Sequence, residues 1–211
     1  GAIGTRAGLI TAKLYAPLSR GSVQLASADP ATPPQVDFRL LDDARDTARM
    51  VQAANFAGAL LCDEGVAAVC PEAFILPPEP PLQRLNRPGP LGPLLSVLAA
   101  ATLELPAPLR RRVVRQMVGA ERMLNRGNGQ DPFPAKLVRA SATPMFHVAG
   151  TCAMGADGDP AAVTDPCCRV RGVQNLRVID ASIMPIVPRA NTNIPTIMLA
   201  ERAVDLVRAS S

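Results

Sequence analysis

The sequence predicts an α+β fold in which an antiparallel sheet is backed by helices. Two features lead to this prediction. Short segments of alternating apolar and polar residues, separated by turn residues, indicate strands near the beginning of the chain. Longer segments with apolar residues at helical spacing follow them and indicate amphipathic helices.

The strand-like part of the chain runs from Leu9 to Ser27. Residues 14–16 and 23–25 are predicted to be extended, on either side of a turn over residues 19–21. Residues 31–34 form a proline-rich loop, and residues 36–38 are predicted to be a further short strand.

The strongest amphipathic pattern covers residues 40–61 and predicts a helix that Asp42 or Asp43 caps. A second helix is predicted over residues 106–124. Between them, from about residue 71 to residue 108, prolines exclude long regular elements, because each one removes a backbone donor and fixes φ. We expect this segment to be a surface excursion, serving either as a lid or contact arm or as a variable insertion.

The last third of the chain has a different pattern. Residues 143–152 and 175–180 are predicted to be strands, and residues 194–208 a helix with a proline in its first turn, as helix starts prefer. A strand, a long loop and a helix N-terminus in this order can present backbone N–H groups to an anionic or electron-rich ligand.

The composition excludes several classes of function. With 48% apolar and 19% charged residues, the chain fits a folded globular protein. No apolar run approaches the about 18 residues that a membrane span requires, so no membrane span is expected. The net charge of +4 is spread along the chain and only 3% of the residues are aromatic, which argues against nucleic-acid binding.

Five cysteines without framework spacing indicate reduced thiols in a cytoplasmic protein. Cys167 and Cys168 with a single histidine do not provide the spaced ligands of a zinc site, so we predict no metal. The first residues, Gly1 to Gly4, show neither an initiating methionine nor a signal peptide, which indicates the remainder of a longer protein.

His147 is the single histidine of the chain and lies in an apolar segment. A neutral imidazole in a mostly dry pocket can accept a proton near neutral pH, so His147 is a candidate general base. The alternative is a structural histidine. Asn191 and Asn193 lie at the start of the last predicted helix, where asparagine is a good cap. A side-chain amide also both donates and accepts, so one of them can orient a substrate hydroxyl beside a base.

Residues 146–155, Phe-His-Val-Ala-Gly-Thr-Cys-Ala-Met-Gly, resemble the His-x-x-Gly-Thr-Cys-x-Met-Gly signature of glucose-methanol-choline (GMC) oxidoreductases. Residues 162–173, 176–185 and 191–202 are similar to three further motifs of that family, in the same order and spacing. The turn over residues 19–23 is similar to the start of the family's C-terminal region. These motifs identify the chain as resembling the C-terminal portion of a GMC oxidoreductase.

The resemblance implies an FAD-dependent alcohol oxidase or dehydrogenase, choline dehydrogenase-like, which oxidises the CH–OH group of a small alcohol by hydride transfer to the flavin. His147 matches the family's catalytic base. Asn191 matches the second catalytic position, with Asn193 as the alternative if the register differs by two residues. The positions that match cofactor contacts are Phe146, Asp180, Ala181, Asn193, Pro195 and Thr196.

Two alternatives remain open. One is a flavin-containing, hydroxynitrile-lyase-like enzyme on the same scaffold, in which the base acts without net redox chemistry. The other is a non-catalytic fragment that needs a partner chain. No Gly-x-Gly-x-x-Gly motif follows a predicted strand, so the N-terminal Rossmann half that seats FAD is absent from this chain. We expect it to be supplied by the same gene or by a separate chain.

The predicted division assigns residues 1–145 to a substrate-binding domain. Residues 146–211 hold the catalytic motif and a C-terminal segment that completes an FAD-binding, Rossmann-like domain. The apolar residues expected to be exposed for the missing half are Ile183, Met184, Ile186 and Val187.

Overall fold

The computed structural model describes residues 8–70, 72–75, 97–98, 100–118, 122–123 and 133–209. Gly1 to Gly4 and most of the predicted proline-rich excursion, residue 71 and residues 76–96, lie outside the described residues. The chain forms two compact units. The first unit comprises residues 1–13 and 47–142, and the second unit comprises residues 14–46 and 143–211.

The second unit contains a short hairpin. Strand β1 (Ser22–Gln24) pairs antiparallel with strand β2 (Gln35–Asp37), and Val23 lies opposite Val36. Gly21 precedes β1 where a Cβ atom would lie 2.2 Å from the carbonyl oxygen of Asp37, so only glycine fits. The predicted strands after residue 21 are confirmed, whereas residues 14–16 form no strand.

Helix α1 (Ala44–Cys62) confirms the first predicted helix. Asp43 caps it, because its Oδ1 atom accepts the backbone N–H of Arg45 at 2.8 Å. The Arg45 side chain also donates to this carboxylate, and these bonds lower the pKa of Asp43 to about 2. A second, unpredicted helix α2 (Glu64–Val69) follows at once, capped by Asp63 through the N–H groups of Gly65 and Val66.

The first unit also contains a second antiparallel pair, β3 (Phe74–Ile75) with β4 (Arg122–Met123). Helix α3 (Ala107–Val118) confirms the predicted helix over most of its length, but residues 122–123, which were predicted to lie near its end, belong to strand β4. An unpredicted helix α4 (Ala135–Ser141) follows. Thr102–Glu104 form a 3-10 turn. Arg110 of α3 donates to the half-buried carboxylate of Glu72 at 2.9 Å.

Residues 143–192 of the second unit have little regular structure, and the two strands predicted there are wrong. The N–H groups of residues 150, 152 and 154 donate to the carbonyls of residues 181, 182 and 183 at 3.3, 2.9 and 2.8 Å. Because residues Ala181–Ile183 form a 3-10 turn, this pairing does not extend into a sheet. In the second predicted strand, Asn175 has a φ of +59° and only Arg177 forms a bridge, to Arg169.

The core of the second unit is centred on Ile183, Cys168 and Ala203, which are 0%, 4% and 1% exposed. The exposure predicted for Ile183 and Met184 is therefore wrong, since both are buried. The 3-10 turn packs against the segment that follows His147 and directs these side chains inward. Ile186, just beyond the turn, is 71% exposed as predicted.

Helix α5 (Asn193–Ala209) confirms the last predicted helix. None of the helices in the described residues is long and apolar enough to cross a membrane. Helices together with two small antiparallel sheets confirm the α+β class. The domain boundary at residue 145 and the completion of a Rossmann-like domain by residues 146–211 stay predictions.

Candidate active site

The start of helix α5 forms one side of the candidate site. The carbonyl of Thr192 accepts the N–H of Thr196 at 2.9 Å and its hydroxyl at 2.7 Å, which makes Thr192 the N-cap residue. Pro195 lies in the first turn, where a missing N–H breaks no helical hydrogen bond. The helix therefore begins at a fixed point, directly after Thr192.

His147 contacts this helix start. Its Nδ1 atom lies 3.1 Å from the hydroxyl oxygen of Thr192, which is only 7% exposed. The imidazole itself is half-buried, and none of the described residues forms a hydrogen bond to its Nε2 atom. One ring nitrogen is thus held by the protein, and the other is left for a ligand.

Asn191 is held from a distant part of the sequence. The phenol of Tyr15 donates to its side-chain oxygen at 3.4 Å, across 176 positions of the chain. Tyr15 and Asn191 both belong to the second unit, and both are exposed. Tyr15 donates to the amide oxygen, and no described residue is bonded to the amide N–H groups of Asn191, which can therefore donate to a ligand.

Phe146 precedes His147 in a strained backbone conformation. Its φ is +59°, a region that bulky residues rarely adopt, and its ring is 89% exposed. Val148 and Ile194, which are 62% and 70% exposed, flank the two partners of the His147–Thr192 contact. An aromatic ring held outward under strain, among exposed apolar side chains, is typical of a surface that binds a ligand or another protein segment.

Asp180 and Ala181 are linked to the His147 segment through the backbone. The N–H of Gly150 donates to the carbonyl of Ala181 at 3.3 Å. Gly150 has a φ of +91°, and a Cβ atom there would lie 3.2 Å from the carbonyl oxygen of Met184, so this approach favours glycine. Asp180 caps the 3-10 turn, because its Oδ1 atom accepts the N–H of Ser182 at 2.7 Å.

The loop behind the site is fixed by buried polar groups. Thr164 is fully buried, and its hydroxyl donates to the carbonyl of Cys152 at 3.3 Å. Burial raises the pKa of Asp165, but bonds from Arg169 and from the N–H of Cys167 outweigh burial and hold that pKa below its ordinary value. Cys168 belongs to the core, and burial raises the pKa of its thiol, which disfavours the nucleophilic thiolate form.

The structure joins the predicted residues only in part, through one side-chain contact between His147 and Thr192 and one backbone bond between Gly150 and Ala181. His147 meets Thr192, which lies between Asn191 and Asn193, and Phe146 adjoins the same contact. The carbonyl of Ala181 accepts the N–H of Gly150, three residues after His147, and the Asp180 side chain accepts from Ser182 within the 3-10 turn. The hydroxyl of Thr196 is bonded to the helix start. In the part of the chain that the structure describes, no group of three acidic, histidine or cysteine side chains is arranged to hold a metal ion.

Two residues of the site were missed in the sequence, Thr192 and Tyr15. Threonine before a helix is a common N-cap residue, so the sequence shows no sign that the Thr192 side chain contacts His147. Tyr15, the single tyrosine of the chain, lies 176 positions before its partner, a separation at which sequence patterns predict no pairing.

A family model and individual relatives both match this chain. The family model described as GMC oxidoreductase, which covers the C-terminal portion of such enzymes, matches residues 17–200. The chain is 36% identical to 5-(hydroxymethyl)furfural oxidase of Methylovorus sp. (strain MP688) over 196 residues, 90% of this chain and 29% of that oxidase. It is 55% identical to mitochondrial choline dehydrogenase of Homo sapiens over 71 residues, 34% of this chain and 12% of that enzyme.

The fold is similar to that of a solved fungal aryl-alcohol oxidase, with a TM-score of 0.55 and 22% identity, over 92% of this chain and 24% of that one. At this identity, the likeness supports the fold alone. The chain spans 29% or less of the length of the curated relatives it matches.

Proposed function

This chain belongs to the GMC oxidoreductase family, and from this premise we propose that it is the C-terminal part of an FAD-dependent enzyme that oxidises the CH–OH group of a primary alcohol, with His147 as the base. The observation that carries the proposal is the contact between His147 and Thr192 at the start of helix α5. This contact leaves Nε2 of the only histidine in the chain available to a substrate hydroxyl.

The residues around this contact fit a flavin. Phe146 offers an exposed aromatic ring, and the N–H groups of Asn193 and Ile194 donate to none of the described residues. A helix N-terminus carries partial positive charge, which favours an electron-rich ring. The residues that would hold FAD are Phe146, Asn193, Pro195 and Thr196 near the ring, and Asp180 and Ala181 near the ribityl and pyrophosphate groups. When bound, FAD would supply the two-electron acceptor for the hydride of the alcohol carbon.

The proton chemistry belongs to this chain. His147 accepts the proton of the substrate hydroxyl at Nε2, so that the O–H bond breaks, an N–H bond forms and the ring becomes imidazolium. Asn191 donates its amide N–H to the same oxygen as negative charge develops there, while Tyr15 holds the amide oxygen. The N-terminus of helix α5 adds a favourable field for that negative charge.

The relatives favour oxidation over a lyase reaction. Those that match this chain include a 5-(hydroxymethyl)furfural oxidase, a choline dehydrogenase and an alcohol dehydrogenase. Each of these names describes an oxidase or a dehydrogenase of a compound with an alcohol group, so the lyase-like alternative is not favoured. The missing N-terminal, Rossmann-type half is proposed as the partner of this chain, from the same gene or from a second polypeptide.

The test is anaerobic stopped-flow reduction of the full-length, FAD-containing protein by primary alcohols. We expect His147→Ala to lower the rate of flavin reduction by about 100- to 10,000-fold with FAD content unchanged, because general-base catalysis contributes about that much. Thr143→Val, at an exposed position four residues earlier, is the matched control. A His147→Ala protein that retains FAD and is reduced at the wild-type rate would end the assignment of the base.

A further inference from the structure

We propose that Thr192 is a positioning residue that selects the tautomer of His147. Its hydroxyl oxygen accepts the Nδ1–H of the imidazole, and this keeps the proton off Nε2. The inference rests on the proposed function, because a tautomer matters to catalysis only if His147 is the base. It starts from the distance of 3.1 Å between Nδ1 and the Thr192 hydroxyl oxygen.

Neutral imidazole allows two directions for this hydrogen bond, and the proposed role of Nε2 selects one of them. The ring carries one N–H, so one nitrogen donates and the other accepts. If Thr192 donated to Nδ1, the proton would sit on Nε2, and that nitrogen could not take a proton from an alcohol. If Nδ1 donates to Thr192, Nε2 has its lone pair available. Only the second arrangement gives His147 a basic nitrogen that is free of the protein.

The local sequence explains why the Thr192 hydroxyl is available. A threonine at the N-cap ordinarily accepts the N–H of the second or third helical residue. Here the third helical residue is Pro195, which has no N–H. The Thr192 hydroxyl is instead hydrogen-bonded to His147. Only the backbone carbonyl of Thr192 caps the helix, by accepting from Thr196.

Burial makes the contact specific. Thr192 is 7% exposed, so water does not readily replace His147 as the partner of its hydroxyl. The helix start fixes the backbone of Thr192, and the bond from Gly150 to Ala181 fixes the chain just after His147. Both partners are therefore held before any ligand binds. A second group that orients a histidine and sets its tautomer is a common device of catalytic and metal-binding imidazoles.

The test is histidine-selective ¹⁵N NMR of the full-length protein, with the His147 signals assigned by their loss in His147→Gln. In the wild type we expect Nδ1 to show the shift of a protonated, pyrrole-type nitrogen and Nε2 that of a pyridine-type nitrogen. Thr192→Ser should keep this pattern. Thr192→Val should move the proton to Nε2 and lower the rate of flavin reduction by about 10- to 100-fold, the usual cost of losing such an orienting group.

Thr143→Val should leave both the spectrum and the rate unchanged. A wild-type spectrum with the proton on Nε2 would overturn the proposal, and this result needs no variant to fold. So would a Thr192→Val protein with the wild-type tautomer. Failure of the proposed function gives a different result. If His147→Gln is reduced by alcohols at the wild-type rate, while the wild-type spectrum shows the proton on Nδ1, the base is wrong and the positioning contact stands.

Discussion

At the scale of single residues, the site depends on two hydrogen bonds that leave complementary groups to a ligand. Thr192 occupies one nitrogen of His147, and Tyr15 occupies the amide oxygen of Asn191. With the tautomer proposed above, Nε2 of His147 is left as an acceptor, and the amide of Asn191, the residue before Thr192, is left as a donor. A hydroxyl group both donates and accepts, so this pair matches an alcohol in its neutral form and, after proton transfer, as alkoxide.

Asn191 provides the first prediction at this scale. Asn191→Ala should slow flavin reduction by an amount equivalent to about 1–3 kcal/mol, the cost of losing one hydrogen bond to a group that becomes charged. Tyr15→Phe removes only the bond that orients the amide and should cost less. Anaerobic reduction of both variants measures these effects. A larger loss in Tyr15→Phe than in Asn191→Ala would show that the phenol, and not the amide, contacts the substrate.

At the scale of elements, Asp46 fastens the segment before β1 to the first turn of α1. It is fully buried, and its Oδ2 atom accepts the N–H groups of Leu18 and Ser19 at 2.7 Å and the hydroxyl of Ser19 at 2.8 Å. The Ser19 hydroxyl in turn accepts the N–H of Asp43. One carboxylate therefore satisfies three donors of an otherwise irregular segment. The turn in this segment, residues 19–23, is the one that is similar to the start of the family's C-terminal region.

Removal of this carboxylate should be costly. Asp46→Ala is expected to lower the free energy of unfolding by about 3 kcal/mol or more, because hydrogen bonds to a charged group are worth about 1.5–3 kcal/mol and the buried donors lose their partner. Asp42→Ala, at an exposed carboxylate nearby, should change stability by less than about 0.5 kcal/mol. Urea denaturation of the full-length protein measures both. Equal stabilities of the two variants would contradict this role of Asp46.

The loop over residues 165–169 gives a prediction of pH dependence. The bonds donated by Arg169 and Cys167 depress the pKa of Asp165 despite its burial. A depressed folded-state pKa stabilises the protein above the unfolded-state pKa, about 4, and this contribution is lost as the pH falls through the folded-state value. The melting temperature should therefore decrease as the pH is lowered from about 4.

Asp165→Asn tests this dependence. The variant should melt at a lower temperature than the wild type at neutral pH, and its melting temperature should vary less between pH 5 and the acidic limit of folding. Asp205→Asn, at an exposed carboxylate of helix α5, is the control for the loss of one charge. Parallel curves for Asp165→Asn and the wild type would show that Asp165 does not contribute to acid sensitivity.

At the scale of the whole molecule, the second unit exposes apolar side chains in the segments that carry the candidate site, residues 146–148, 186 and the first turns of helix α5. Those of Phe146, Ile186, Ile194, Met198 and Val148 are 89%, 71%, 70%, 64% and 62% exposed. The curated relatives that match this chain are several times its length. Apolar side chains of this number beside a site are typical of an interface that a further segment or a cofactor covers.

We therefore expect the isolated 211 residues to be poorly soluble and to bind a hydrophobic dye such as ANS. Co-expression with the N-terminal half should suppress dye binding and yield yellow, FAD-containing protein. Sedimentation and dye fluorescence of the two preparations make the comparison. An isolated chain that is monomeric, unfolds cooperatively and responds in neither measurement to the missing half would contradict this interface.

The sequence alone determined the two long helices and the family of the chain. The helices at 44–62 and 193–209 follow from periodic apolar residues and nearby caps, which act over a few residues. The single histidine and the motif around it predicted the family, and the matching family model confirms that prediction. The short helices at 64–69 and 135–141 were missed because each has no more than two turns, too few for a helical spacing of apolar residues to be visible in the sequence.

Only the tertiary structure decided which segments meet. Residues 143–152 and 175–180 both resemble strands. Residues 150, 152 and 154 nevertheless donate to the 3-10 turn that contains the buried Ile183, and the backbone groups of residues 176 and 178 bond to residues 170 and 168. Tyr15 reaches Asn191, and Thr192 reaches His147, because the chain folds back over long separations. Local propensity carries no information about such partners, since burial and long-range hydrogen bonds are decided by the fold as a whole.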